Sequence, residues 1–399
     1  MITIFKKFAT VVSITATILV GLSSCNKEFN DVAPVPTASL FDRSTTIDSI
    51  VKTNPNFSVL RVAVARAGFN ALLADSNAQF TFFAPDNAAL AAIGVNATTV
   101  MGAGVATLQG LLAYHVVPTQ RFTFANITST PPNIQLPTQI QLAPGISTLI
   151  RMSVFLSRRG TNAWANNVPI STADIAASNG IIHILTARPL NPVATTIRDA
   201  YVNDLNLTML RAAITRADSG LAASNPGRLD SIANNPFANL TLLAPSNAAF
   251  GNLFYPLLYP SIYAQTAAAV AMANPLFTAA QVMAAATPIA VTNTNAASTN
   301  PLIFSNPALF GTLTAQTVRG IIAYHIFTSR YYGVNTQTAV SSLTAGGAAL
   351  PPVGIDFNGG AVRFLGAGNG AGNFSNVTTA DDHRLNGVMH IIDRVLRPQ

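Results

Sequence analysis

Phe80-Thr81-Phe82-Phe83-Ala84-Pro85-Asp86-Asn87-Ala88-Ala89-Leu90 is the stretch that decides the fold, because the chain writes it twice. Its second copy reads Leu240-Thr241-Leu242-Leu243-Ala244-Pro245-Ser246-Asn247-Ala248-Ala249-Phe250. Leu111-Leu112-Ala113-Tyr114-His115 follows the first copy, and Ile321-Ile322-Ala323-Tyr324-His325 follows the second. Each series closes on a third block, Asn179-Gly180-Ile181-Ile182-His183-Ile184 or Asn386-Gly387-Val388-Met389-His390-Ile391. Three blocks in one order, twice over, define a duplicated domain. Four of the five histidines fall at repeat-equivalent positions, so the obvious candidate catalytic residues become candidate framework residues.

Within each copy the elements follow one sequence. Val59-Leu60, Val62-Ala63-Val64 and Ala67 put apolar side chains on one helical face, and Gly68 stops it. The counterpart runs from Met209-Leu210 through Ala217 and ends near Gly220. Phe80 to Ala84 and Leu240 to Ala244 are apolar runs short enough for buried strands. Asp86-Asn87 and Ser246-Asn247 then offer a side-chain oxygen where a helix N-cap wants one. Residues 121–156 are strand-rich, with Gln139-Ile140-Gln141-Leu142 and the run from Leu149 to Phe155. Residues 340–379 repeat this, with Gly346-Gly347, Pro351-Pro352, Gly359-Gly360 and the run from Gly366 to Gly372 as turns. Helices first and antiparallel strands after give the α+β class.

The three blocks resemble the F-A-P-x-N-x-A-F, Y-H and N-G-x-I-H-x-I segments of the fasciclin (FAS1) family, over roughly residues 44–190 and 194–399. The resemblance implies two tandem fasciclin-like domains, each a beta sandwich or wedge with helices packed alongside. It implies an adhesion or matrix-interaction module rather than an enzyme, and it leaves the ligand unnamed. It also carries over two binding segments. The Tyr-His segment linked to cell-receptor binding falls on Tyr114-His115 and Tyr324-His325. Read from the residues alone, an imidazole in such apolar company is a hydrogen-bonded framework group, and both roles stay open. Asp174-Ile175 resembles the Asp-Ile segment of animal fasciclin proteins that bind integrins. The second copy departs from it with Asp381-Asp382, and an ordinary surface turn is the alternative.

Residues 1–25 read as an export signal, with Lys6 and Lys7 ahead of an apolar stretch from Phe8 to Leu22. Leu22-Ser23-Ser24-Cys25 closes it, and Cys25, the only cysteine, stands where a bacterial lipobox places its acylated residue. The expected membrane contact is therefore through lipidated Cys25, held stably once more than one acyl chain is attached. A short membrane anchor is the other reading, since about 20 apolar residues span a bilayer. Residues 26–43, rich in proline and polar side chains, form a tether. Lys27-Glu28 directly after the cysteine resembles a lipoprotein surface-export signal, which favours the outer face of a bacterial outer membrane over its periplasmic face. With Cys25 acylated no disulfide is possible, so packing alone must hold the domains.

The formal charge of +7 falls to +5 once Lys6 and Lys7 are removed, and the remaining basic residues are scattered. No basic run exists for nucleic acid. Glu28 is the sole glutamate and sits in the tether, so no glutamate pair can serve glycoside hydrolysis. There is no Gly-x-Ser-x-Gly elbow, and the acylated cysteine leaves no nucleophilic thiol. The run from Gly366 to Gly372 lacks the strand-then-helix setting and the Gly-Lys-Ser/Thr ending of a phosphate loop. No His-x-x-x-His or comparable ligand cluster occurs, and His383 stands where the first copy has Ala176. No catalytic residue, metal or cofactor is expected.

The copies differ most in one place. Pro85 to Tyr114 spans 29 residues, whereas Pro245 to Tyr324 spans 79, which puts an insertion at about 253–310. It holds Tyr255, Tyr259 and Tyr263, spaced by four, then an Ala-rich run. Pro256 and Pro260 are expected to prevent a regular helix across those tyrosines. An added helical hairpin packed on the domain's own core is one reading, and an aromatic contact surface for glycan or protein is the other. The expected protein is thus an envelope-anchored adhesion or matrix-interaction protein whose partner is extracellular matrix, a cell-surface protein or a polysaccharide. A structural envelope-organising protein and an accessory glycan-capture lipoprotein are the alternatives.

Overall fold

In the computed structural model, the first quoted block forms a strand, β1 (Phe80–Pro85), with every residue buried. Side chains alternate across a strand, so Phe80, Phe82 and Ala84 enter a core cluster shared with the helices. Phe83 turns to the opposite face, into a cluster shared with the later strands. The second copy, β8 (Leu240–Pro245), repeats the division, with Leu240, Leu242 and Ala244 on the helical side and Leu243 on the other. An apolar run without polar alternation is thus the signature of a strand covered on both faces. The structure describes residues 45–129, 133–143, 145, 147–333, 339–340, 350–358 and 361–399. The leader, Cys25, the tether, Gly346-Gly347 and Gly359-Gly360 lie outside the described residues.

The first domain adds β2 (Val116–Pro118), β3 (Ile134–Gln141), β4 (Arg151–Arg159), β5 (Asn162–Ala165), β6 (Val168–Ala177) and β7 (Gly180–Leu185). They form one seven-stranded sheet in the order β2-β1-β7-β6-β5-β4-β3. The second domain has β9 (Ile326–Phe327), β10 (Ala339–Val340), β11 (Val353–Asn358), β12 (Ala361–Leu365), β13 (Ser375–Arg384) and β14 (Gly387–Ile392). Its order, β10-β11-β12-β13-β14-β8-β9, matches the first strand for strand. The sheets are not wholly antiparallel, as the sequence reading has them. β1 runs parallel to β7 with Phe82 opposite Ile182, and β8 runs parallel to β14 with Leu242 opposite Met389. A parallel pair needs a long crossover, and everything between the first and last strands of each domain supplies it.

Each quoted block has a mechanical task. Asn179 is fully buried, accepts from Ile47 N (2.9 Å), and donates to the carbonyls of Leu73 (2.8 Å) and Asp75 (3.0 Å). Asn386 does the same with Ile197 N, Ala233 O and Asn235 O at 2.8, 2.8 and 2.9 Å. A Cβ on Gly180 would lie against the Phe80 carbonyl and 2.8 Å from Ile47 Cδ1, so only glycine lets the strand and helix close. Asp86 caps the helix Asn87–Ala91 through Ala89 N (2.8 Å), and Ser246 caps its counterpart through Ala249 N (3.1 Å). Thr81 Oγ1 donates to Gln120 O and accepts from Phe122 N, and Thr241 holds Ser329 O and Tyr331 N identically.

The capped helix of the second domain does not stop where its counterpart stops at Ala91. It runs from Asn247 to Ala273, straight through Pro256 and Pro260, and a second helix, Ala279–Ser298, returns against it. This corrects the expectation that the prolines prevent a regular helix. A proline forfeits one backbone bond but not the helix, and the packing partner supplies the remainder. The base is tied into the core by Phe250, Phe254 and Phe304, with the Phe254 and Phe304 ring centroids 5.6 Å apart and edge-on. Gly251 lets the end of the returning helix approach, since a Cβ there would stand 2.8 Å from Thr299 Cγ2.

Candidate interaction surface

Tyr114, His115, Tyr324 and His325 present no exposed surface. His115 Nδ1 lies 2.8 Å from Leu111 O, and its Nε2 accepts from Leu190 N at 2.9 Å. His325 repeats this with Ile321 O (2.8 Å) and Leu396 N (2.9 Å). A nitrogen facing a carbonyl must carry the proton and one facing an N–H must not, so each ring is the neutral Nδ1–H form. Burial pulls both pKa values down to about 4. Each ring thereby ties the end of a helix to the segment that leaves the domain's last strand. His183 and His390 are neutral in the other tautomer, facing the carbonyls of Phe122 and Tyr331 through Nε2 at 2.8 Å. Burial lowers both of these as well.

The Nδ1 atoms of that second pair explain the acidic segment. Asp174 N donates to His183 Nδ1 (3.3 Å) and Asp381 N to His390 Nδ1 (3.2 Å). Both aspartates sit at bulges in β6 and β13 with left-handed backbones, φ 61° and 58°. Asp174 is therefore in mid-strand and not in the surface turn that the sequence offers as an alternative. Its carboxylate accepts from Phe124 N at 2.8 Å, as that of Asp381 accepts from Gly333 N at 2.8 Å. Ile175 packs against the helical core of the first domain.

The two domains meet at Arg330, which stands at the repeat position of Arg121, and at His383, which stands where the first copy has Ala176. Arg330 is buried, with its guanidinium 4.0 Å from the ring centroid of Phe155 in the first domain. It donates to the carbonyls of Arg384 (2.9 Å), Leu385 and Gly387 (3.1 Å) and to Asn239 Oδ1 (2.8 Å). His383 stands between Tyr114 of the first domain (3.2 Å from Nε2) and Tyr332 (2.9 Å from Nδ1). Tyr114 donates to Ser153 O and accepts from Asn166 Nδ2, so Nε2 of His383 is the donor to it. Burial, and then the Arg330 charge, hold His383 well below the ordinary histidine pKa. Phe155, Tyr332 and Val388 complete an apolar contact across the junction, beside a polar cleft of about 350 Å³. In that cleft Arg384 is paired with Asp382 at 2.7 Å, and Arg188 with Asn167. The sequence reading missed Arg330 and Tyr332. The signal for the junction was His383, which has no partner in the first copy.

The hairpin is the surface the motifs do not consume. Tyr255, Tyr259 and Tyr263 stack in series along its first helix, with centroids 5.6 and 5.9 Å apart, and all three are half-buried. The buried stripe of the returning helix is made of small residues, Ala286, Ala290, Thr294 and Ser298. Towards the tip the hairpin exposes Met272, Leu276, Phe277 and Met283, with Leu276 96% exposed. No charged residue or histidine occurs between Asp230 and Arg319, and that run was the unused sequence signal for this surface. Among the described residues no group of three His, Cys, Asp or Glu side chains is arranged to hold a metal ion.

A duplicated seven-stranded domain with buried Tyr-His and Asn-Gly blocks defines a tandem-domain protein with one shared fold. The fasciclin domain model matches residues 55–188 and 294–398, well over half of the sequence, and the chain belongs to that family. It is 27% identical to the protein sll1483 of Synechocystis over 168 residues, covering 42% of this chain and 84% of that protein. It is 26% identical over 206 residues to pig transforming growth factor-beta-induced protein ig-h3, covering 51% of this chain but 26% of the relative. Among solved structures it is similar to a FAS1 domain pair from the insect cell adhesion molecule Fasciclin I. That match has 16% identity, covers 85% of this chain and 95% of the other, and has a TM-score of 0.33. The family is a non-enzymatic adhesion-type family.

Proposed function

We propose that this chain is an envelope lipoprotein, anchored through Cys25, whose paired fasciclin domains bind a surface, matrix or neighbouring cell. Its chemistry is recognition and not catalysis. The observation that carries the reading is the fate of the shared motifs. Their tyrosines, histidines and asparagines are consumed in holding each domain together, while eight of the fourteen exposed large apolar side chains among the described residues lie on the insertion. Family membership supports adhesion, and the leader with its single cysteine supports anchoring. Intact cells treated with a broad-specificity protease test this, with a periplasmic protein monitored in parallel. Digestion of the domains together with loss of cell attachment, while the control survives, is expected. Protection until the outer membrane is opened would refute surface adhesion and favour an envelope-organising role.

A second reading, capture of polysaccharide, is favoured by the tyrosine stack, since sugar rings lie on aromatic faces. Tyr259→Ala should then abolish binding to purified glycan without altering the fold. Unchanged glycan binding in that variant would remove the stack as the glycan site.

A further inference from the structure

We infer that the hairpin tip inserts into the interface of a neutral phospholipid bilayer. Charge selects this occupant. Both helices and the loop joining them lie in a run with no Asp, Glu, Lys, Arg or His from Ser231 to Val318. A protein partner is ordinarily met through a polar rim around an apolar centre, and this end offers a few amides and hydroxyls but no charge to orient one. An anionic surface or nucleic acid would call for lysine or arginine, which are absent here. Met272, Leu276, Phe277 and Met283 instead form an exposed apolar end, and Met272 lies about 27 Å along the helix from the core residue Phe254.

The threonines of the hairpin helices and the polar groups of its tip are satisfied within it, as lipid requires. All four threonines inside the helices return their hydroxyl to the carbonyl four residues back. These are Thr266 to Ile262 (2.7 Å), Thr287 to Met283 (2.7 Å), Thr292 to Pro288 (3.0 Å) and Thr294 to Ala290 (2.7 Å). At the tip, Thr278 and Gln281 form a reciprocal capping box, and Asn274 returns both N and Nδ2 to Val270 O. Prolines inside helices, Pro256, Pro260 and Pro288, belong to the same membrane-helix habit. No helix among the described residues is long and apolar enough to cross a membrane, so the tip enters the interface and does not span.

The test uses the full chain with Phe277→Trp as a local reporter, with the emission of Trp164 subtracted from the unaltered chain. The reporter reads position 277 alone, so it is independent of any acyl group on Cys25. On phosphatidylcholine vesicles its emission should shift to the blue and be lost when the acyl chains carry bromine. Salt should not change this, and adding Leu276→Glu should abolish it while the thermal midpoint stays put. Met272→Trp is a second reporter should Phe277→Trp perturb the loop. Emission unmoved by vesicles would overturn the inference. So would a shift that needs anionic lipid, one that follows protein concentration without lipid (a second copy), or one produced by soluble glycan alone.

Discussion

At His115 and His325 the ring is read by its neighbours, a carbonyl on one nitrogen and an N–H on the other, and only the neutral form satisfies both. Each folded pKa is about 4 against an ordinary 6.5. Between those values the unfolded chain binds protons that the folded chain refuses, so stability falls as pH drops from 6.5 towards 4. Below that window the contribution of these two rings levels off. A shift of this size is worth roughly 3 kcal/mol per ring. Urea unfolding across the window should show the decline, and a flat profile would refute the framework role. Asn386→Ala strands Ile197 N and two carbonyls in the core, at a cost of about 3 kcal/mol or more, read as a lower urea midpoint.

At the scale of elements, the hairpin helix carries two prolines at exposed positions that packing does not require to be proline. Pro256→Ala should restore a backbone bond and stabilise the helix by about 1 to 3 kcal/mol, seen as a raised midpoint. No gain would mean that packing of the returning helix already offsets the missing bond. Strands, caps and the duplication were legible because each rests on local chemistry: β1 on an unbroken apolar run, its following helix on Asp86. The hairpin's continuity was hidden because a proline penalty is visible in sequence while the returning helix that offsets it is not. The mid-strand place of Asp174 was hidden for the same reason, since its bulge exists only through pairing with β7, where His183 lies nine residues on.

Across the whole molecule, the two domains meet at a buried arginine whose carbonyl and amide partners belong to its own domain and whose guanidinium lies on Phe155 of the other, with Tyr114–His383–Tyr332 beside it. Arg330→Met should uncouple the halves. The single melting transition expected of the parent chain would split in two, and the radius of gyration in X-ray scattering would rise. One transition and an unchanged radius would show that the apolar contact of Phe155, Tyr332 and Val388 suffices. Motif matching hid most of this junction, because Arg330 stands at the repeat position of Arg121 and Tyr114 in a shared block, and only His383 departs from the pattern. His383 replaces an alanine, and the tyrosine of one Tyr-His block faces the other domain while its twin turns to Pro352.

The charge-free run has a practical consequence at the bench. Trypsin cuts after lysine or arginine, and between Arg228 and Arg319 there is neither. Shaving cells with trypsin will leave the hairpin in one large fragment however exposed it is. A tryptic peptide map will be blind to the very segment through which this protein is proposed to meet a membrane. Chymotrypsin, which can cut after Tyr263, Leu276 and Phe277 (Tyr255 and Tyr259 precede prolines and are spared), is the reagent that will see it.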